Sequence, residues 1–444
     1  MNVPPRKAVT PAPSSPSSLG DMLPPSMPPD APPRAKPTRA GTFGVLDLGS
    51  TKVTCLIGRV EGDAVRVLGH GHHQSRGVRA GGITDMDEAE YAIRRAVGAA
   101  EDMADQRLRA VVVNLTCGTP ASRLFDVEWP VGRAVTEADV KRVVDEGRAL
   151  AATEGRDTIH VLPLSFEVDD TPGVADPRGL VCETLRARLH VVDAGASALR
   201  NLALTLERCE LHLEELVSAP MASGLSTLVD DERQLGVTLL DMGGGGTSMA
   251  VWSEGEVLHT AHLPVGGGHV TNDIARGLST PVAHAEYLKT LYGNAQASPD
   301  DEREMLPVPM VGEDEDHIAR VPRSQVVRIV KPRLEETFEM VRDRLAKTGL
   351  AREAGNRVVL TGGASQLVGV RELAERILDR RVRLGRPLPL KGLPDRYAGP
   401  DAATAAGLLV WASGQGRRLA DVGLGDDTPP GLLRRIANFI RERV

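Results

Sequence analysis

Aromatic side chains are scarce in this sequence, and it has neither paired cysteines nor a long apolar run. Only 3% of the 444 residues are aromatic, so valine, leucine, isoleucine and alanine must build the hydrophobic cores. The four cysteines lie far apart, and we interpret them as buried free thiols in a reducing compartment. No uninterrupted apolar stretch is long enough for a membrane-spanning helix, and no apolar stretch follows Arg6 and Lys7 as in a secretory signal. We therefore expect a cytoplasmic protein.

A basic excess is also missing. The chain has 60 acidic and 53 basic residues and a net charge of -7, whereas a general nucleic-acid-binding protein would be strongly basic. We therefore expect no nucleic-acid partner. The cluster of His70, His72 and His73 suggests a metal site, but we favour solvated imidazoles at the end of a strand.

The composition changes several times along the chain, which suggests its division into parts. Residues 1–40 contain 12 of the 31 prolines and predict a disordered arm. Residues 413–430 are rich in glycine, aspartate and proline and predict a flexible linker. Between them, residues 119–195 predict a self-contained insert.

Two segments repeat one design, in which an apolar strand ends at an aspartate and a glycine turn leads into a second apolar strand. The first reads FGVLDLGSTKVTCLIG and the second reads LGVTLLDMGGGGTSMAVW. Each predicts a β-hairpin with a polar tip. Because the design occurs twice, we predict a duplicated α/β domain.

Other patterns predict single elements. Helical periodicity and capping residues predict helices at about 87–106, at 137–151 with Thr136 as its cap, from Ala196 to about Arg208, and at 401–412. The acidic, proline-containing segment 295–325 predicts a solvated loop or a small subdomain.

The glycine turns carry the chemistry. A nucleoside triphosphate needs backbone N–H groups close to its phosphates and an acid to hold hydrated magnesium, and glycine lets the backbone come close. Two facing hairpins would clamp the phosphates, with Asp47 and Asp241 near Mg²⁺, and a third turn, LTGGAS, would approach the nucleoside. A single glycine turn is more often only a hairpin, whereas three in this order are more specific. The turns supply Asp47, Gly49, Ser50, Thr51 and Lys52; Asp241, Gly243, Gly244, Gly245, Gly246 and Thr247; and Gly362, Gly363, Ala364 and Ser365.

This combination resembles the actin, Hsp70 and sugar-kinase superfamily. The resemblance implies an actin-like ATPase fold, with two duplicated lobes around a nucleotide cleft. The implied ranges are 41–118, 196–228 and 400–412 for the first lobe (IA), 119–195 for the insert and 229–399 for the second lobe (IIA). It makes the three turns the phosphate-1, phosphate-2 and adenosine loops. The segment AEYLKTLYG is similar to the superfamily's AExxK helix, which implies that Glu286 and Lys289 lie against the ribose and adenine. The segment PVGGGHVTNDIARGL similarly implies that Gly267 and Gly268 lie near the phosphates.

Over about residues 42–412 the finer resemblance is to the FtsA family of bacterial cell-division proteins. The segments HVLPLSFEVDD and DPRGLVCETLRARLHVV resemble that family's own inserted subdomain, 1C. The resemblance implies ATP and Mg as cofactors and a polymer at the division site, on the cytoplasmic face of the inner membrane. Its implied partners are further copies of the chain, later divisome proteins, and the C-terminal tail peptide of the tubulin-like division protein FtsZ. That peptide would bind subdomain IIB, at about 275–335.

One departure from the family bears on catalysis. The family commonly has D-x-G-G-G-T-T at phosphate 2, and Gly246 replaces the first threonine. Between Leu216 and Leu228 only serines are available to activate a water, and a positioned base is typically worth about 10²–10⁴-fold. We therefore expect ATP binding with at most slow hydrolysis, and we assign no catalytic residue. The alternative function is that of a phosphotransferase with the same fold.

The last fourteen residues, GLLRRIANFIRERV, predict an amphipathic helix that binds an anionic membrane surface. Its apolar stripe is too short and too interrupted by charge to span a bilayer, but it fits the interface. A helix docked on the protein's own body is the alternative. The predicted membrane-binding residues are Leu432, Leu433, Ile436, Phe439 and Ile440 in the stripe, with Arg434, Arg435, Arg441 and Arg443 around it.

Overall fold

The computed structural model describes residues 41–62, 64–313 and 318–414. The predictions of a disordered arm at 1–40 and of a membrane-binding helix at 431–444 lie outside these residues, as does nearly all of the predicted linker. Within the described part of the chain, no helix is both long and apolar enough to cross a membrane.

The first lobe begins with a run of strands and one long helix. In chain order these are β1 (Thr42–Leu48), β2 (Lys52–Glu61), β3 (Ala64–Gln74), β4 (Val78–Arg79), β5 (Gly82–Ile83), α1 (Met86–Ala104) and β6 (Ala110–Leu115). The insert follows with β7 (Ala121–Ala134), α2 (Glu137–Ala151), β8 (Arg156–Val168), β9 (Thr171–Val174) and β10 (Val181–Gly195). The chain then returns through α3 (Ala196–Arg208), β11 (His212–Ser218) and α4 (Ala219–Thr227).

The second lobe is continuous in sequence, and one last helix returns to the first. Its elements are α5 (Asp230–Leu235), β12 (Val237–Met242), β13 (Thr247–Ser253), β14 (Glu256–Leu263), α6 (Gly267–Gly277), α7 (Val282–Tyr292), β15 (Met305–Pro309), β16 (Ile318–Pro322), α8 (Arg323–Thr348), β17 (Arg357–Thr361), α9 (Val370–Leu378) and β18 (Arg381–Leu384). The final helix is α10 (Ala403–Ala412).

The two large sheets have the same design. The first has strand order β11-β6-β1-β2-β3, and the second has order β18-β17-β12-β13-β14 when read from the equivalent edge. In each sheet, the hairpin that carries the aspartate is antiparallel. The first strand of that hairpin, β1 or β12, also pairs in parallel with the strand on its other side, β6 or β17. Asp47 pairs with Thr54 and Asp241 with Ser248, so the registers are also equivalent. The predicted duplication of an actin-like α/β fold is confirmed.

Helices α4 and α10 lie between the two sheets and pack against each other. Helix α10 packs on β1, β2 and β6 of the first sheet, and α4 packs on β12 and β13 of the second. One apolar cluster therefore joins both lobes, with Val45 from the first, Val237 from the second and Leu408 from α10. The outer faces are covered by α1 and α3 on one lobe and by α6, α8 and α9 on the other.

The insert is a four-stranded antiparallel sheet of order β7-β10-β8-β9 with α2 on one face. It leaves and rejoins the first lobe at one point, where Gly195 N donates to Gly118 O at 2.8 Å. Helix α2 spans the predicted residues 137–151, and Asp139 accepts a hydrogen bond from the backbone N–H of Thr136 at 2.9 Å. The Thr136 hydroxyl donates to the same carboxylate at 2.6 Å, so two hydrogen bonds from Thr136 fix the start of the helix.

Three smaller predictions have different outcomes. All four cysteines are buried free thiols, as predicted. The prediction of solvated histidines is wrong for His70, which is buried because its ring packs against Tyr397. Segment 295–325 forms the β15–β16 hairpin and a 3₁₀ turn at Pro299–Glu302, which is the small-subdomain alternative.

Helix α8, the longest in the described residues, was not among the predicted elements.

Candidate functional site

The tips of the two equivalent hairpins meet. Each tip is closed by the same backbone bond, from Gly49 N to Lys52 O at 3.1 Å and from Gly243 N to Gly246 O at 2.9 Å. A Cβ atom on Gly244 would overlap the side chain of Thr51, and one on Gly245 would overlap Ser50. The glycines are therefore required for the two tips to come this close.

Behind the tips lies a cavity of about 610 Å³ between the lobes. Most of the predicted site residues line it: Asp47, Gly49, Ser50, Thr51, Lys52, Asp241, Gly243, Gly244, Gly245, Gly246, Gly267, Glu286, Lys289, Gly362, Gly363 and Ala364. These residues come from both hairpins, from α6 and α7, and from the turn after β17. One space thus joins segments that are more than 300 positions apart in the sequence.

Three predicted residues do not line the cavity but hold its walls. The Thr247 hydroxyl donates to Val265 O at 2.7 Å, and the Ser365 hydroxyl donates to Gly362 O at 2.7 Å. Gly268 N donates to Gly244 O at 2.8 Å, and Gly267 N donates to Gly243 O at 2.9 Å. The first amides of α6 therefore bind the carbonyls of the second hairpin tip and fix its shape.

Asp47 lies at the carboxyl end of β1 and is buried. The side-chain amide of Asn114, on β6, donates to its Oδ1 at 2.8 Å. Burial raises the pKa of Asp47 to about 7; the positive charge of Lys52 opposes this shift, and the carboxylates of Asp241 and Asp401 add to it. The positive charge of Lys52 therefore does not offset the cost of burying the ionised form of Asp47.

Asp241 occupies the equivalent position at the end of β12. Burial raises its pKa, and hydrogen bonds from Ser223 at 2.5 Å and Thr404 at 2.9 Å oppose the shift. Ser223 lies in the segment where only serines were available to activate a water, and its hydroxyl is used to bind this carboxylate. Both donors come from the helices between the lobes, α4 and α10.

The donor set fits a hydrated magnesium ion. A divalent cation would stabilise the ionised forms of Asp47 and Asp241, which burial disfavours. The described residues contain no group of three or more His, Cys, Asp or Glu side chains that could hold a metal directly. One or two carboxylates with water and phosphate as further ligands is the usual arrangement for Mg²⁺.

Sequence reasoning missed several residues of the cavity. Asp401, at a 3₁₀ turn before α10, pairs with Lys52, and Thr404 donates to Asp241. Asn114 and His262 also line the cavity. None of these residues belongs to a glycine turn, so the turn pattern has no signal for them. One local indication was available for Asp401, namely that an acidic residue stands just before α10 in the stretch GPDAATAAG.

Glu286 and Lys289 lie where α7 faces α6. Lys289 Nζ donates to Glu286 Oε2 at 2.7 Å and to Thr271 Oγ1 at 2.9 Å, while the Thr271 hydroxyl donates to Glu286 Oε2 at 2.5 Å. This three-residue network joins the two helices at the edge of the cavity. It lies close to the third glycine turn, because the Cβ position of Gly267 is 3.6 Å from Lys289 Nζ and 3.1 Å from Ala364 Cβ.

Comparison with protein families gives two matches to this chain. The model described as "Cell division protein FtsA" matches residues 238–407. The model described as "SHS2 domain inserted in FTSA" matches residues 120–193, which is the insert.

Three curated relatives, each named "Cell division protein FtsA", are similar over most of their length. The protein from Agrobacterium fabrum is 40% identical over 425 residues, which cover 91% of this chain and 95% of the relative. That of Rhizobium meliloti is 43% identical over 386 residues, covering 84% and 87%. That of Escherichia coli is 33% identical over 378 residues, covering 82% and 88%.

Solved structures support the fold. The PilM-PilN type IV pilus biogenesis complex matches with a TM-score of 0.60 and 17% identity, covering 86% of this chain and 99% of the matched chain. MreB 5 of Spiroplasma citri bound to AMPPNP matches with a TM-score of 0.52 and 12% identity, covering 83% and 95%. At these identities the likeness concerns the fold alone.

Proposed function

Because the chain belongs to the FtsA family of cell division proteins, we propose that it binds ATP with Mg²⁺ and polymerises on the inner face of the cytoplasmic membrane. There it tethers the FtsZ ring and recruits later divisome proteins. The observation that carries the nucleotide part is the meeting of the two glycine-rich hairpin tips at one cavity that contains Asp47 and Asp241.

The cavity supports a nucleotide in its size and in its lining. Its volume of about 610 Å³ is within the usual range for small-molecule sites, roughly 300–1,000 Å³. The glycine tips and Lys52 offer N–H groups and a positive charge to phosphates, while Gly363 and Ala364 leave room for a nucleoside. The MreB structure with the same fold was solved with AMPPNP, a nucleotide analogue, which fits this proposal.

Hydrolysis is expected to be slow. The hydroxyl of Ser223 donates to Asp241 and is therefore not free to activate a water. The other donors to the two aspartates are the amide of Asn114 and the hydroxyl of Thr404, and neither is a base. Loss of a positioned base typically costs about 10²–10⁴-fold in rate. Turnover of several ATP per second by the purified protein would contradict this part of the proposal.

The membrane part of the proposal depends on the predicted helix at 431–444. Five large apolar side chains on one stripe, with arginines around them, suit an anionic interface. Each arginine adds roughly 1 kcal/mol near anionic lipid. One such helix binds reversibly, and a polymer that carries many of them binds firmly through avidity. Nucleotide-dependent assembly would then determine how strongly the protein holds the membrane.

The partner proposal places the FtsZ tail peptide on the subdomain at about 275–335. Supporting it, Tyr287, Leu291 and Met305 of this region have large exposed apolar side chains. Fluorescence anisotropy with a labelled tail peptide should show binding that Tyr287→Ala and Leu291→Ala weaken. The exposed Leu235, which lies on α5, provides a control substitution outside this region.

Sedimentation with liposomes tests the tether against the phosphotransferase alternative. With ATP and vesicles that contain phosphatidylglycerol, the protein should sediment and form filaments visible by electron microscopy. A phosphotransferase would stay in the supernatant and consume ATP in the presence of an acceptor. Asp47→Asn with Asp241→Asn should abolish the nucleotide dependence.

Matched glutamate substitutions test the predicted membrane helix. Phe439→Glu with Ile440→Glu should abolish sedimentation with vesicles, and Ile440→Glu alone should weaken it. Asn438→Glu adds the same single charge on the predicted polar face and should have a smaller effect. Unchanged binding of the double variant would favour the alternative of a helix docked on the protein's own body.

A further inference from the structure

The ring of His262 occupies the space that a side chain at position 246 would need. A Cβ atom built on Gly246 would lie 2.6 Å from His262 Nε2 and even closer to Cε1. Real Cβ atoms essentially never come within 3.0 Å of another heavy atom. The carbonyl oxygen of Leu263 lies 2.9 Å from the same position. The histidine ring and the backbone of the neighbouring strand therefore both exclude a side chain at position 246.

The strand pairing holds this ring in place. His262 lies on β14 directly opposite Ser248 of β13, and its Nδ1 is 3.0 Å from the Ser248 hydroxyl. Gly246, Ser248 and His262 all line the cavity. The ring is therefore fixed by its Nδ1 side, with Cε1 and Nε2 directed at the glycine tip.

The other ring nitrogen has no partner. His262 Nε2 is buried and makes no hydrogen bond with any residue that the structure describes. A buried polar atom without a partner is destabilising, because it has lost its hydrogen bonds to water. Nε2 lies at the wall of the ligand cavity, but the glycine tip covers it, so a ligand atom can partner it only when the tip shifts.

The protonation state of His262 allows its Nε2 to act as a hydrogen-bond donor. Burial lowers the pKa of His262, so the ring is neutral at physiological pH and carries one N–H. When the Ser248 hydroxyl donates to Nδ1, that proton is on Nε2. The nitrogen beside the glycine tip is then a hydrogen-bond donor.

We propose that the four-glycine tip shifts off the ring when nucleotide binds, and that His262 then supplies the side-chain hydrogen bond that Gly246 cannot make. It donates Nε2–H to the phosphate chain of the bound nucleotide or to a water held on it. The inference rests on the proposed nucleotide site. It assigns His262 as a binding residue that is distant in sequence from all three glycine turns. It also explains how the second hairpin tip keeps a side-chain donor although it consists of four consecutive glycines.

Substitutions that separate shape from hydrogen bonding test the proposal. His262→Leu fills the space without a donor and should weaken binding of Mg·AMPPNP about tenfold, as expected for a lost hydrogen bond to a charged group. His262→Gln keeps an N–H donor and should stay within about threefold of the unchanged protein. Thermal unfolding without nucleotide shows whether each variant is folded.

A reciprocal exchange provides a second test that does not depend on those two variants. Gly246→Thr alone should lower both the unfolding temperature and the affinity, because the new side chain overlaps His262. Gly246→Thr with His262→Val removes the overlap with the ring and returns a hydroxyl, so it should recover part of both; the Leu263 carbonyl oxygen, 2.9 Å from the Cβ position, prevents full recovery. The ¹⁵N chemical shift of His262 Nε2 should also change when Mg·AMPPNP is added, which a purely packing role would not require.

The outcomes separate this inference from the function on which it rests. If the unchanged protein binds no nucleotide in this assay, the proposed function fails and the inference fails with it. If it binds while folded His262→Leu binds equally well and the Nε2 shift does not move, only the role of His262 is overturned. Tenfold loss in His262→Leu with recovery in the double variant supports the inference.

Discussion

Asn114 holds Asp47 by a buried hydrogen bond, from its side-chain Nδ2 to Oδ1 of the carboxylate at 2.8 Å. The same amide group accepts a bond from Leu48 N at 2.8 Å. It therefore ties the end of β1 to β6 and fixes both the carboxylate and the start of the first hairpin tip. One buried residue thus connects the core of the first lobe to the proposed metal site.

Asn114→Ala should reduce stability and nucleotide affinity together. The substitution leaves a buried carboxylate oxygen and a buried backbone N–H without their partner, so we expect a loss of roughly 2 kcal/mol in unfolding free energy. Chemical denaturation followed by circular dichroism measures this loss. Asn201→Ala, at an exposed position of α3, should stay within about 0.5 kcal/mol. Equal effects of the two variants would mean that the Asn114 bonds do not contribute.

The ion pair between Lys52 and Asp401 should compete with nucleotide for the lysine. Both side chains are partly exposed, at 28% and 34%, and such a pair is worth only about 0.2–1 kcal/mol. Asp401→Asn frees Lys52 and should raise the affinity for Mg·ATP, but by no more than about fivefold. Lys52→Ala should lower it, and the double variant should behave like Lys52→Ala.

Isothermal titration of the four proteins gives the coupling between these two residues. Asp395→Asn removes an exposed carboxylate from the preceding turn and should leave the affinity unchanged. A loss of affinity in Asp401→Asn as large as that in Lys52→Ala would show that Asp401 positions the lysine for the ligand instead of competing with it.

The parts of the fold that were predictable have local causes. Each aspartate and glycine turn lies within one hairpin, so the sequence pattern contains the whole element, and Thr136 and Asp139 mark the start of α2 within four residues. The pairing of Lys52 with Asp401 spans 349 positions, and the burial of His70 depends on Tyr397. Contacts of this kind depend on how the lobes fold back on each other, which no local pattern contains.

Helix α8 shows a different limit of sequence reasoning. Its buried residues Val326, Val330 and Val341 recur at helical spacing, but Pro332 lies in its interior. A proline there removes one backbone hydrogen bond and argues against a continuous helix. Packing of the apolar stripe against α6 and α9 maintains the helix through this position. At this position the tertiary contacts outweigh the tendency of Pro332 to interrupt the helix.

Gly407 should be irreplaceable where the helices between the lobes cross. A Cβ atom on this residue of α10 would overlap the carbonyl of Ala222 on α4. Gly407→Ala should therefore destabilise the protein by roughly 1–3 kcal/mol, although alanine is the better helix former. Gly98 on α1 has nothing within 4 Å of its Cβ position, and Gly98→Ala should stabilise by up to about 1 kcal/mol. Thermal unfolding of both variants checks the contrast, and stabilisation by Gly407→Ala would contradict the observed packing.

The insert meets the second lobe through the buried His190 and the half-buried His259, and this contact should be sensitive to acid. The Ser122 hydroxyl of β7 lies 2.7 Å from His190 Nε2 and 3.2 Å from His259 Nδ1, and it accepts a bond from Thr260 N at 3.1 Å. Burial lowers the pKa of His190 to about 3, with His259 and His160 adding to the shift. Burial, with a contribution from Arg344, lowers the pKa of His259 to about 4.

Because both pKa values are lower in the folded protein, the unfolded chain takes up protons first as the pH falls. The contribution of these histidines to stability is therefore complete above about pH 6.5, the ordinary histidine value. It is lost from there down to about pH 4 for His259 and about pH 3 for His190. Each histidine contributes at most about 1.4 kcal/mol per pH unit. His259→Asn should reduce the difference in unfolding temperature between pH 7.5 and pH 5, whereas His212→Asn, at an exposed position, should leave it unchanged. An identical pH dependence in all three proteins would show that His259 is not linked to the stability of the folded state.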